Sequence, residues 1–131
     1  MSVLEAVRRA NAILPGNPQE KNNDRWQAIC AIGEYVESEP EVVWLFVCRW
    51  GDNPLEDLRD AIATVLLEHL LEHHFELIFP RVEAAARQNP TFADMFRRCW
   101  KFGQSELPEN ANRFDDLQNR CDGSSSGICD A

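Results

Sequence analysis

The sequence is short of several features that would point to an enzyme or to a membrane protein. Only six of the 131 residues are glycine and they do not cluster, so there is no glycine-rich loop to hold a phosphate group. There is no Gly-x-Ser-x-Gly motif, and no cysteine has a histidine nearby in the sequence, which leaves nucleophilic catalysis unsupported. No apolar run approaches the roughly 20 residues that a membrane-spanning helix needs.

A cleavable signal peptide is not expected either. Such a peptide needs an apolar core, but the first helical segment carries charged side chains at Glu5, Arg8 and Arg9. Without a signal peptide or a membrane span, we expect a cytoplasmic protein that does not use a membrane as its partner.

The five cysteines are an odd number and form no close pairs. Three of them, Cys30, Cys48 and Cys99, lie among apolar residues of predicted helices, so we expect reduced and buried thiols. A bridge between Cys121 and Cys129 stays open as an alternative.

Acidic side chains outnumber basic ones by 22 to 13, and the formal net charge is −9. The part of the chain from residue 105 onward contributes six acidic and two basic side chains to this excess. An acidic protein repels phosphate backbones, so nucleic acids and anionic membranes are disfavoured as partners. The charge favours a basic protein partner, or it serves solubility alone.

Helix signals divide the chain into six segments, at 2–14, 25–37, 40–50, 53–73, 75–88 and 90–102. The run 42–47 has strand propensity by composition. A helix-start signal precedes it, a Gly-Asp-Asn-Pro break follows it, and no second strand is available, so we interpret it as a short buried helix.

The fourth segment is apolar on two sides. Measured at 100° per residue, one face includes Leu58, Ile62, Val65, Leu66, His69 and His73. Leu67 and Leu71 lie on the opposite side. This helix therefore needs neighbours on both sides, as the middle helix of a stacked array does.

This segment resembles the second helix of a HEAT repeat, an armadillo-type helical repeat. The family pattern is apolar-Arg-x-Ala-Ala-x-x-Ala-Leu-Gly-Glu, and the matching residues here are Leu58-Arg59, Ala61-Ile62, Leu66 and Glu68. A second copy lies 34 residues earlier, at Arg25, Ala28-Ile29, Ala31-Ile32 and Gly33-Glu34. Residues 76–82 and Asn89-Pro90 look like the first helix and the turn of a third unit, whose second helix lacks the arginine.

The resemblance covers about residues 2–103. It implies an all-α fold, a short right-handed α-solenoid of about three HEAT-like helix pairs. We therefore divide the chain into a helical repeat domain, 1–103, and a polar C-terminal tail, 104–131. In the tail, Phe114, Leu117 and Cys121 have helical spacing and suggest one short helix docked on the last repeat; a disordered tail is the alternative.

Histidines at 69 and 73 enclose a His-x-x-Glu-His spacing that one class of zinc peptidases uses. His69 lies at the centre of the predicted apolar face, so we interpret it as a packed core histidine. A metal site that uses His69, His73 and His74 is the alternative. We expect no catalytic residue, no metal and no cofactor.

The candidate binding residues come from the predicted concave face. In HEAT-like arrays the second helices line this face, and Glu34 and Glu68 occupy the same place in successive repeats. Trp26 lies away from the apolar stripe, and an exposed tryptophan beside carboxylates is a typical interface anchor. The predicted partner-binding residues are Trp26, Glu34, Glu37, Asp60, Thr64 and Glu68.

These patterns predict a non-enzymatic protein-binding module. The specific hypothesis is an acidic, bacterial-type immunity or inhibitor protein that neutralises a basic partner such as a toxin. The alternative is an adaptor or regulatory subunit of a larger enzyme, which exposed apolar ends of the array would favour. A HEAT-like DNA-repair enzyme is disfavoured, because that family presents a basic groove.

Overall fold

The computed structural model describes residues 2–16 and 24–125, with side chains described up to Cys121. Within these residues every regular element is helical and none is a strand. The α-helices are α1 (Val3–Ile13), α2 (Asp24–Gly33), α3 (Pro40–Trp50), α4 (Glu56–Ala61), α5 (Glu68–Gln88), α6 (Pro90–Arg97) and α7 (Pro108–Ser125). A π-helical turn, Ile62–Leu67, joins α4 to α5, and a 3₁₀ turn, Gly103–Glu106, precedes α7. The predicted all-α class is confirmed.

Two helices, α1 and α6, begin with side-chain caps that the sequence encodes. At α1 the Ser2 hydroxyl accepts the backbone N–H of Glu5 at 3.1 Å, and the Glu5 carboxylate accepts the backbone N–H of Ser2 at 2.9 Å. At α6 the Asn89 side chain accepts the first free N–H groups, and Pro90 takes the first helical position. The residues 42–47 lie inside α3, so the helical interpretation of that run is confirmed.

Helices that are close in sequence also pack against each other. α1 lies on α2, α3 packs against the π-helical turn and α5, α5 against α6, and α6 against α7. The His74 backbone (φ −140°, ψ 49°) breaks α5 into two parts, which confirms the predicted boundary between 73 and 75. The Gln104 side chain bridges this break by accepting the Phe75 N–H at 2.9 Å and donating to the His73 carbonyl at 2.8 Å.

α4, the π-helical turn and the part of α5 before His74 form a central helical rod, which is buried on both sides, as its two apolar faces predict. Leu58 and Ile62 on one predicted face, and Leu67 and Leu71 on the other, are all buried. Burial of each such leucine stabilises the fold by roughly 2 kcal/mol. The rod is therefore the core element on which the other helices are placed.

The last helix, α7, belongs to the same core. Phe114, Leu117 and Cys121 are all buried against it. An aromatic series connects this helix to α5, with ring centroids 4.9 Å apart for Phe96 and Phe114 and 6.4 Å apart for Phe79 and Phe96. The helical spacing of these three residues in the tail thus correctly predicted the buried side of α7. Cys129, the predicted alternative partner of Cys121, lies outside the described residues.

Two helices end earlier than the sequence pattern predicts. α2 ends at Gly33, so the residues 34–38 form turns instead of helix, and α6 ends at Arg97 instead of 102. The segment after α6 leaves the helix because its backbone binds α5, where the Trp100 N–H donates to the Glu68 carboxylate at 2.9 Å. A tertiary contact therefore overrides local propensity here.

The prediction of three buried thiols is right only for Cys99. Cys30 is half-buried and Cys48 is exposed. The buried side of α3 is taken by larger residues such as Phe46 and Val47, which turns Cys48 outward. Burial raises the pKa of the Cys99 thiol well above its ordinary value, so this cysteine stays protonated.

Replacing Gly103 with alanine should destabilise the protein by roughly 2 kcal/mol or more. Gly103 has φ +52°, and an added Cβ would lie 2.9 Å from the backbone oxygen of Glu72 and 2.6 Å from its Cγ. Urea unfolding of Gly103→Ala checks this, with the exposed α7 substitution Asn112→Ala as control. Equal midpoints for the two variants would show that the loop does not need glycine.

Candidate functional site

An open groove of about 320 Å³ lies between α2 and the α4–π-helical segment. The Trp26 ring forms one wall, apolar side chains form the floor, and the carboxylates of Asp57 and Asp60 lie at the rim. The lining residues are Arg25, Trp26, Ile29, Asp57, Leu58, Asp60, Ala61 and Thr64. Three of the six predicted binding residues, Trp26, Asp60 and Thr64, therefore come together in one place.

Trp26 forms the wall of the groove because of its position on α2. Ala28, Ile29 and Ile32 take the buried side of this helix, and the Trp26 ring is left outside that stripe with 50% of its surface exposed. The predicted exposure of Trp26 is confirmed. A large apolar ring that a fold leaves half-exposed beside polar groups is suited to bind a partner.

Arg25 makes one side of the groove rigid. Its Nε donates to the Pro15 carbonyl at 2.8 Å, and its Nη1 donates to Asp57 Oδ2 at 3.0 Å. The guanidinium is largely buried, so these contacts connect the chain before α2 to α4. They also neutralise Asp57, and Asp60 is left as the acidic group that faces the groove.

Asp60 and Thr64 lie one helical turn apart on the opposite side. The Thr64 hydroxyl donates to the Asp60 backbone carbonyl at 2.9 Å, which leaves the hydroxyl oxygen able to accept. The Asp60 carboxylate is mostly exposed and lies 3.6 Å from Arg98 Nη1. Arg98 has shorter contacts of 3.0 Å with Glu56 and 3.1 Å with Asp94, so it binds those carboxylates first.

Two predicted residues, Glu34 and Glu37, are exposed but do not line the groove. Both lie in the turns that follow α2. Glu37 Oε1 lies 3.8 Å from His73 Nδ1, and the Glu37 carbonyl lies 2.9 Å from His74 Nε2. These carboxylates extend the acidic surface beyond the groove and do not form part of its lining.

The prediction that Glu68 lies on the exposed acidic surface is wrong. Glu68 is only 6% exposed and accepts the Trp100 N–H. The cause is the π-helical turn, whose i→i+5 hydrogen bonds place one extra residue in the turn and shift the helical phase of everything after it. Burial raises the pKa of the Glu68 carboxyl, an effect that the Trp100 N–H and nearby His69 partly oppose.

The same phase shift corrects the reading of His69 as a core residue. Leu70 takes the buried position, and the His69 side chain is 40% exposed. Its Nδ1 lies 2.7 Å from Glu72 Oε1, and its ring stacks on Phe102 with centroids 5.8 Å apart. Among the described residues, no three His, Cys, Asp or Glu side chains are grouped so that they could hold a metal ion.

Sequence reasoning missed Trp100, which is the most exposed large apolar side chain of the described residues at 72%. The predicted helix 90–102 included Trp100 among apolar neighbours, so it was expected to be a core residue. The signal that could have found it is the basic pair Arg97-Arg98, because basic residues mark the last turn of a helix. A helix that ends there leaves Trp100 free to point outward.

A second groove of about 350 Å³ lies between α1 and α3. It is more apolar than the first, and both Leu4 and Leu45 are exposed at its rim. The lining residues are Leu4, Val7, Asn11, Val42, Leu45, Phe46 and Arg49.

The fold and these surfaces define a small all-α domain with open surface grooves. Residues 15–121 match a family model, and the chain belongs to that family, described as "Family of unknown function (DUF6869)". Searches of curated proteins and of solved structures returned no significant match. None of the described helices combines the length and the apolar character needed to cross a bilayer.

Proposed function

We propose that this chain is a non-enzymatic protein-binding module, an acidic cytoplasmic inhibitor or immunity protein that neutralises a basic partner such as a toxin. The observation that carries the proposal is the half-exposed Trp26 beside Asp60 in an open groove. Tryptophan is enriched among the residues that dominate binding energy at protein interfaces.

Local charge supports a basic partner. The carboxylates of Glu56, Asp57 and Asp94 are bound by arginines of the same chain, so they contribute little free negative charge. Glu34 is exposed and forms no ion pair with another described residue, and Asp60 has only the long contact with Arg98. Negative charge that no arginine binds closely therefore remains at Glu34, in the turn after α2, and at Asp60 on α4.

Reversing this charge should slow association. We expect the double variant Glu34→Lys with Asp60→Lys to bind the captured partner about tenfold more slowly at low salt, because complementary charge mainly speeds encounter. Both side chains are exposed, so the fold should persist. The partner is captured from the source cell on the immobilised chain, and association rates are then measured at low and high salt.

The matched control is Glu109→Lys with Asp116→Lys, which makes the same change in net charge on exposed positions of α7. High salt should remove the difference between the two double variants, because it screens exposed charges. Equal rates at low salt would place the binding surface elsewhere. For the inhibitor role, one equivalent of the chain should abolish the partner's own activity.

A second candidate function, an adaptor or regulatory subunit of a larger enzyme, is favoured by the apolar groove between α1 and α3. Leu4 and Leu45 remain exposed there, as expected for a surface that a larger assembly covers. Leu45→Glu separates the two functions, since it should weaken binding only if this groove is the interface.

A HEAT-like relationship remains part of the proposal. Successive packing of α1 on α2, α3 on the π-helical turn and α5 on α6 supports three helix pairs. In such an array, the groove beside Trp26 would lie between the second helices of the first two pairs.

A further inference from the structure

Resting on the proposed function, we infer that the groove between α2 and α4 takes one arginine side chain of the partner. In this arrangement the guanidinium lies over the Trp26 ring and against the Asp60 carboxylate. The aliphatic stem lies on the apolar floor formed by Ile29, Leu58 and Ala61.

The net charge of the groove lining is complementary to that of a single cation. It includes two carboxylates, Asp57 and Asp60, and one guanidinium, Arg25. Arg25 is bound to Asp57 at 3.0 Å, so this pair is neutral and one negative charge, on Asp60, remains in excess. Arg98 approaches Asp60 only to 3.6 Å and leaves most of that carboxylate open to solvent.

The lining also matches the shape of an arginine side chain. Two polar acceptors, the Asp60 carboxylate and the Thr64 oxygen, lie one turn apart on the same helical face, where a planar fork of N–H donors can reach both. The half-exposed Trp26 ring suits a flat guanidinium, which stacks on aromatic rings and is less strongly hydrated than an ammonium group. A groove of about 320 Å³ is at the small end of ligand sites and fits one side chain.

The test is a titration of the full ¹⁵N-labelled chain with N-acetyl-arginine amide, followed through the tryptophan indole N–H signals. We expect a saturable shift of the Trp26 indole with a Kd of about 1 mM, as suits a ligand of this size. The Trp100 indole is the internal control, because it is exposed but lies outside the groove. The uncharged isostere N-acetyl-citrulline amide should bind at least severalfold more weakly than the arginine probe, and N-acetyl-lysine amide should also bind more weakly.

Asp60→Asn should weaken arginine binding roughly two- to fivefold, the range expected for one exposed cation contact. Asp116→Asn on α7 is the matched control and should leave the affinity unchanged. Equal shifts of the Trp26 and Trp100 indoles, or equal binding of the citrulline probe, would overturn the inference.

The outcomes separate this inference from the proposed function. If the captured partner needs Trp26 but the arginine probe does not bind, the arginine site is wrong and the binding module stands. If the probe binds as expected but no partner depends on Trp26, the site stands and the proposed function fails.

Discussion

Glu68→Lys should lower the free energy of unfolding by roughly 3 kcal/mol or more at neutral pH. The substitution removes the acceptor of the Trp100 N–H and places an ammonium group at a position that is almost completely buried. The adjacent segment, which carries Cys99 and Phe102, should detach from α5 as a result. An unfolding midpoint within experimental error of the wild-type value would contradict the buried placement of Glu68.

Glu68→Gln is the matched variant, because its side-chain carbonyl can still accept the Trp100 N–H without a charge. Burial, the largest effect, raises the pKa of the Glu68 carboxyl in the folded protein. A raised folded pKa gives stability that is complete below the unfolded value of about 4.3 and is lost as pH rises through the folded value. Urea unfolding between pH 4 and pH 8 should therefore show that the free energy of unfolding of Glu68→Gln rises relative to that of the wild type as pH increases. A constant difference would show that Glu68 is not desolvated.

Trp26→Ala should weaken binding of the captured partner at least about thirtyfold, the loss expected for an anchor worth roughly 2 kcal/mol. Half of the ring is exposed in the free protein, so stability should fall by only about 1–2 kcal/mol. Calorimetric titration of the partner into the wild type and the variant measures the effect. Trp100→Ala is the matched control, since it deletes an exposed ring of the same size outside the groove. An affinity loss that is equal for both variants would remove Trp26 as a specific anchor.

Local signals in the sequence were enough to predict most helices. The Ser2 capping box and the Asn89-Pro90 turn fix the starts of α1 and α6 at the predicted places. The paired apolar faces of the central rod predicted burial on both sides, because Leu67 and Leu71 could not be satisfied by one neighbour. These features depend only on neighbouring residues and on helical spacing.

The π-helical turn could not be predicted in the same way. Nothing in Ile62–Leu67 distinguishes an i→i+5 turn from ordinary α-helix, yet the change of phase turns Glu68 inward and His69 outward. The predicted equivalence of Glu34 and Glu68 fails for this reason. The burial of Glu68 also needs the Trp100 backbone, which is 32 residues away in sequence.

Three of the six predicted binding residues lie in the groove, and their placement followed from the sequence. Trp26 lies off the apolar stripe of α2, and Asp60 and Thr64 share a helical face, so their placement depends on spacing within single helices. The hydrogen bond between Arg25 and Asp57 joins α2 to α4. It could not be predicted from either helix alone, because it forms only when the two helices pack together. Neutralisation of the carboxylates by arginines is likewise a property of packing, so the net charge of −9 overstates the acidity of the groove.

Hydroxyl-radical footprinting of the chain, free and bound to its captured partner, tests the central claim most directly, because it reads the exposure of individual side chains. In the free protein Trp26, Trp100 and Leu45 should all react, whereas Trp44 should be protected by burial. The account predicts that the partner protects Trp26 and leaves Leu45 reactive. Full reactivity of Trp26 in the complex, with protection of Leu45 instead, would contradict the account and move the interface to the groove between α1 and α3.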